Sequence, residues 1–257
     1  MLVLGVGLAY AVTMRRRRVG GRGAPDDNRR IVWFALGVAL FWISTDWPIG
    51  ALGAGYLASV HMAQYQLYTL VVAPLLLLGV SEDTARAIAR RLGLSGMLPY
   101  LTRPVVAATV FNVVLLATHS PFVVDALRTS QVGSFVLDMI WLISGFVLWL
   151  PIVSPLPELR HPSPAVRCVY LFLAGAALAM IPGALITFAP FPLYRIYELA
   201  PRVNNISALD DQQIAGIVMK IGNLPVIWIV LCATFMRWAQ RESSISYVTI
   251  SPTGHDL

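Results

Sequence analysis

Seven long apolar stretches dominate this chain: Leu2–Met14, Ile31–Trp47, Tyr56–Val80, Val105–Thr118, Phe135–Ser154, Val166–Pro190 and Ile214–Trp238. A bilayer core of about 30 Å requires roughly 20 apolar residues in an α-helix, so most of these stretches are candidates to span it. Hydrophobic residues make up 57% of the sequence and charged residues only 12%, a balance that no water-soluble domain of this length accommodates. The predicted fold is therefore all-α, a polytopic membrane helix bundle of about seven transmembrane helices. Residues 1–240 form a single domain and 241–257 a polar cytoplasmic tail, read as mobile.

Arginine sets the orientation. With the N-terminus outside, the alternate connections carry Arg15–Arg18, Arg22, Arg29 and Arg30, then Arg86, Arg90, Arg91 and Arg103, then Arg160 and Arg167, then Arg237 and Arg241. The other side holds Arg128, Arg195 and Arg202. The positive-inside rule puts the arginine-rich connections and the C-terminus in the cytoplasm, and leaves the N-terminus extracytoplasmic. The net charge of +6 is thereby accounted for without a nucleic-acid partner. The first stretch is short, and its arginines follow the apolar run rather than precede it, the reverse of a cleaved export signal. Within Ser81–Pro104, Ser81 is placed to cap a cytoplasmic helix that begins with Glu82 and Asp83 and carries Arg86, Arg90 and Arg91 towards lipid headgroups. Cys168 and Cys232 form no CxxC and lie toward the reducing side, so they read as small buried hydrophobes.

Ionisable and polar residues within spans are expensive unless paired or facing water, which makes them the candidates for function. His61 and Met62 fall inside the outer end of the third stretch, His119 at the outer end of the fourth, and Asp138 and Met139 inside the outer end of the fifth. Asp210, Asp211, Gln212 and Gln213 precede the last stretch, with Met219 and Lys220 further along it. All lie near the outer leaflet, where a bundle could collect them. Imidazole and thioether suit copper, cuprous ion above all. The spacing supplies no HxxxH or HExxH on one helix, however, and a membrane histidine is also an ordinary helix–helix hydrogen-bonding residue. Lys220 has the simpler reading of an ion pair with Asp138, Asp210 or Asp211. A G-x-S-x-G context, a Walker loop and a dinucleotide fingerprint are all missing, and two histidines near spans make a poor haem site.

Four segments in order resemble the CtaG family of caa3-type cytochrome c oxidase assembly factors: YLASVHMAQYQLYTLVVAPLLLLG (Tyr56–Gly79), THSPF (Thr118–Phe122), SGFVLWLPIVSP (Ser144–Pro155), and PLYRIYELA followed by LDDQQIAGIVMK (Pro192–Lys220). The resemblance covers roughly residues 31–240. It implies a non-enzymatic protein of the bacterial inner membrane that helps mature a haem–copper oxidase, with oxidase subunits or other assembly factors as partners and copper as the cargo. Carried over by position, the implied functional residues are His61, Met62, Gln64, His119, Asp211, Gln212, Gln213 and Met219, joined by Asp138, Asp210 and Lys220 from the residue reading. Two departures bear on copper. Tyr65 stands where the family's HMxQH motif has its second histidine, and Ser134 and Asp138 stand at a family H-x-x-x-H pair. The expected alternatives are copper delivery through His61, Met62, His119, Asp138 and Met219, a metal-free scaffold or accessory subunit of a respiratory complex, and a small-solute or ion transporter.

Overall fold

The computed structural model describes residues 5, 7, 10, 12, 27–203 and 205–250, with the backbone alone at 241 and 243–250. Helices α1 (Asp27–Thr45) and α2 (Ile49–Gly55) form a pair bent by 53°, followed by α3 (Ala58–Gly79). Short helices α4 (Glu82–Arg91) and α5 (Leu98–Leu101) lead to α6 (Pro104–Thr118) and α7 (Pro121–Arg128), bent by 68° from each other. Then come α8 (Gln131–Val153), α9 (Pro164–Phe188), the short α10 (Arg195–Glu198), α11 (Ala208–Ile221) and α12 (Leu224–Ile250). Four helices are long and apolar enough to cross a membrane, and six spans result if each bent pair counts as one. These six coincide with six of the seven apolar stretches. The seventh, Leu2–Met14, and the Arg15–Arg18 run lie largely outside the described residues, although Tyr10 stacks on Phe34 at 3.7 Å.

Helix ends follow local chemistry. Ser81 accepts from the Thr84 amide at the start of α4, as its sequence position predicted, and Ser130 accepts from the Gly133 amide at the start of α8. Proline at the first helical positions of α6 and α7 removes an amide that has no intrahelical partner there. Ser207 caps α11, so the helix begins before the DDQQ segment and includes it, where the sequence placed that segment just ahead of the helix. At the other end, α12 continues helically through residues 241–250, the first part of the segment read as a mobile polar tail.

Two spans contain a π-helical turn, Leu67–Val72 in α3 and Leu173–Ala177 in α9. Such turns disturb the i→i−4 ladder, and backbone groups freed in a bilayer interior must find partners within the protein. Here side chains of neighbouring helices serve. Trp149 Nε1 donates to the Thr69 carbonyl at 2.9 Å, Asn112 Nδ2 to Ala174 at 3.3 Å and Asn223 Nδ2 to Gly175 at 3.1 Å. Small residues let helices approach: a Cβ on Gly216 would lie 2.6 Å from the Thr187 amide nitrogen and 2.7 Å from the Gly183 carbonyl, which locks α9 against α11.

The core is aromatic and apolar, centred on Trp141, Trp149, Tyr68, Phe111 and Leu137. The outer face is apolar as well: Val105, Leu185 and Ile229 are 78%, 67% and 68% exposed, a surface that suits hydrocarbon rather than water. Both cysteines are free, but Cys168 is half-buried and Cys232 exposed rather than buried as expected, because each sits on an outward helix face. Arg86 bonds Glu82 at 2.7 Å and Glu158 at 2.6 Å. Two of the arginine-rich connections thus meet at one end of the bundle, where Arg30 also donates to the Val80 carbonyl at 3.0 Å.

Candidate functional site

The opposite end of the bundle gathers the N-termini of α3, α8 and α11 with the bend between α6 and α7. His61, on the second turn of α3, and His119, at the C-terminal cap of α6, are both buried, with ring centroids 5.9 Å apart and nearly perpendicular planes. Trp141 of α8 walls the pair, 4.8 Å from His61 and 5.6 Å from His119, and Tyr65 packs 4.5 Å from His119. Trp141 is held in turn by its indole N–H to Thr118 Oγ1 at 3.0 Å.

Arg128, the last residue of α7, enters this centre with its side chain 1% exposed. Its Nε donates to His61 Nδ1 at 3.1 Å, its Nη2 reaches Asp138 Oδ1 at 3.1 Å, and its guanidinium carbon lies 5.0 Å from the Trp141 ring centroid. Tyr197 of α10 completes the shell: its hydroxyl oxygen is 2.7 Å from the Gly53 carbonyl and 2.8 Å from His61 Nδ1. Burial raises the Tyr197 hydroxyl's pKa above its ordinary value, so it keeps its proton. His119 Nδ1 lies 2.8 Å from the Leu115 carbonyl, which can only accept, so that nitrogen carries the proton. What remains is decisive for chemistry: the Nε2 atoms of both His61 and His119 are buried without a hydrogen-bond partner.

The connection from α9 to α11 is stitched down around this centre. Asp125 of α7 accepts from the amides of Arg195 at 3.3 Å and Ile196 at 3.1 Å, Tyr194 donates to the His119 carbonyl at 2.9 Å, and Gln212 accepts from the Leu193 amide.

Residues 8–241 match the family of cytochrome c oxidase caa3 assembly factors. The chain belongs to that family. No curated protein and no solved structure matches it.

In this caa3 assembly-factor family member the sequence-predicted residues divide into three groups. His61 and His119 form the centre. Asp138 adjoins it, but its Oδ1 is engaged by Arg128, and no group of three His, Cys, Asp or Glu side chains among the described residues is placed to hold a metal ion. Met62 and Met219 are fully buried in the apolar core, and Met62, next to His61 in sequence, is turned about 100° from it round the helix.

The others hold the frame. Gln64 Nε2 donates to the Ser44 carbonyl at 2.6 Å and ties α3 to the end of α1. Asp211 Oδ2 accepts from the Ala58 amide at 2.6 Å and its Oδ1 from Ser59, so it caps α3 rather than its own helix. Asp210 accepts from Ser207 Oγ at 2.6 Å, Gln212 holds the loop, and Gln213 is half-buried beside them. Lys220 departs from expectation. It makes no ion pair with Asp138, Asp210 or Asp211; its Nζ lies 4.8 Å from the Phe188 ring centroid, because those carboxylates are taken up by Arg128, Ser207 and the start of α3.

Arg128, Trp141 and Tyr197 were not singled out from the sequence. A signal existed for two of them. Arg128 is one of few arginines on the arginine-poor side, and Trp141 follows Asp138 by three residues, on one helix face. Tyr197 sits in an irregular connection whose path no periodicity foretells.

Proposed function

We propose that this assembly factor handles a cuprous ion at the His61–His119 centre and passes it to a haem–copper oxidase during maturation. The observation that carries the reading is the pair of buried, unpartnered imidazole Nε2 atoms within one aromatic-walled centre. Imidazole suits copper, and a site with so few protein donors would release its cargo readily to a partner's ligands. His61 and His119 would be the primary donors, with Met62 and Met219 as candidate thioethers and Asp138 as a charge that Arg128 now neutralises. The arginine-rich end would face the cytoplasm of a bacterial plasma membrane, so the centre would open to the extracytoplasmic side. The partners would be oxidase subunits or other assembly factors.

A metal-free scaffold is the second reading, and one observation favours it: a guanidinium is bonded to His61 Nδ1, a fixed positive charge on the same ring whose Nε2 would have to hold the cation. Metal analysis of the detergent-purified protein after cuprous loading, wild type beside H61A/H119A, tests the choice. Stoichiometric copper lost in the variant supports delivery. No copper in either supports the scaffold.

A further inference from the structure

An arginine N–H can only donate. With Arg128 Nε at 3.1 Å, His61 Nδ1 must present a lone pair, and the neutral ring then carries its proton on Nε2. His119 is the reverse: its Nδ1–H serves the Leu115 carbonyl and its Nε2 holds a lone pair. The centre therefore offers one N–H and one lone pair, when a cation shared by both rings requires two lone pairs. The resident network is also one proton short, because Tyr197 has a single hydroxyl proton to divide between the Gly53 carbonyl and His61 Nδ1.

Taking the guanidinium away resolves both problems. His61 Nδ1–H can then donate to the Tyr197 oxygen while the Tyr197 hydroxyl donates to Gly53. Every group in that chain is satisfied, and the lone pair of His61 moves to Nε2. This is the arrangement in which an outer hydrogen bond fixes the tautomer of a metal-binding imidazole. Arg128 belongs to α7, and α7 is bonded through Asp125 to the connection between α9 and α11 that carries Tyr197, so one bonded layer supplies both groups that contact His61 Nδ1.

We propose that Arg128 is a positioning residue that keeps the centre closed to cations by holding His61 in its Nε2–H tautomer, and that loading requires its withdrawal. The proposal rests on the copper reading for its purpose, but not for its first test.

The experiment uses full-length protein in detergent with 15N-labelled histidine, whose ring nitrogen shifts separate protonated from unprotonated positions; H61N identifies the His61 signals. In metal-free wild type, His61 Nδ1 is expected unprotonated and Nε2 protonated. In R128M/D138N, which removes both charges together, the pattern should reverse, and cuprous affinity, measured by competition with a chromophoric chelator, should rise at least about tenfold. Adding Y197F should abolish about that much of the gain, since the Nδ1 proton loses its acceptor.

Wild-type protein with Nδ1 already protonated overturns the proposal without recourse to any variant. So does an unchanged tautomer in R128M/D138N, or an unchanged cuprous affinity where H61A/H119A shows that the centre binds copper. A reversed tautomer with no cuprous binding in either protein removes the copper reading and leaves the hold of Arg128 on His61 standing.

Discussion

Removing the carboxylate of Asp138 should damage the fold far more than removing the whole ion pair. Arg128 Nη2 and Asp138 Oδ1 are 3.1 Å apart, on side chains 1% and 6% exposed. At an effective dielectric of about 20, that separation corresponds to roughly 5 kcal/mol of attraction. Asp138→Asn deletes it and leaves the guanidinium buried with only neutral neighbours, a loss of about 3–5 kcal/mol. For a chain of this size that is a fall of about 6–20 °C in thermal midpoint in detergent. R128M/D138N, with no charge to desolvate, should lie within about 1 kcal/mol of wild type. Thermal melts of the four proteins in the cycle isolate the coupling. D138N melting within about 2 °C of wild type would refute the reasoning, because it would mean that water or lipid headgroups already screen the pair. A double variant as damaged as the single one would refute it too, since packing rather than charge would then be responsible.

Other perturbations test other parts of the structure. Gly216→Leu should lower the thermal midpoint, by about 1–3 kcal/mol of stability, because its side chain would be driven into the Thr187 and Gly183 backbone; a melt unchanged from wild type would mean that α9 and α11 are not in contact there. Trp149→Phe keeps an aromatic ring, though a smaller one, and strands the Thr69 carbonyl at the π turn, a loss of about 1–3 kcal/mol from the missing hydrogen bond alone, with faster amide exchange expected in Leu67–Val72. At the arginine-rich end, a hydrogen bond from its own backbone amide and then Arg86 hold the Glu158 carboxyl below the usual carboxylate range. The Arg86–Glu158 link is therefore present at neutral pH and lost as the pH falls through that lowered value. A distance measured by spin labels between α4 and the Pro157–Leu159 turn should lengthen on acidification, and in E158Q it should be long at every pH.

The extent to which the centre was legible follows from what each residue's position depends on. His61 and His119 were visible because an ionisable group in an apolar span requires an explanation wherever it falls. The motif resemblance then joined segments more than fifty residues apart. Lys220 was misread because distance along the chain says nothing about rotation round a helix axis: in the bundle, Asp138 faces Arg128, and Asp211 faces the amides of a different helix. Arg128 was counted towards topology, as positive charge near a membrane usually is. The 68° turn between α6 and α7 instead directs it back into the protein.

Composition and the length of apolar runs were enough to require helices, to set six of their positions and to segregate the arginines, because a bilayer demands internally satisfied backbone over a known thickness. Those demands act along each helix separately, so they are written in its own residues. Which faces meet is a matter of close packing between helices, at Gly216 against Thr187 or at the two π turns, where a change of helical register re-aims every side chain beyond it. Only that packing brought two histidines within 5.9 Å, set an arginine on one of them, and decided which ring nitrogens carry lone pairs.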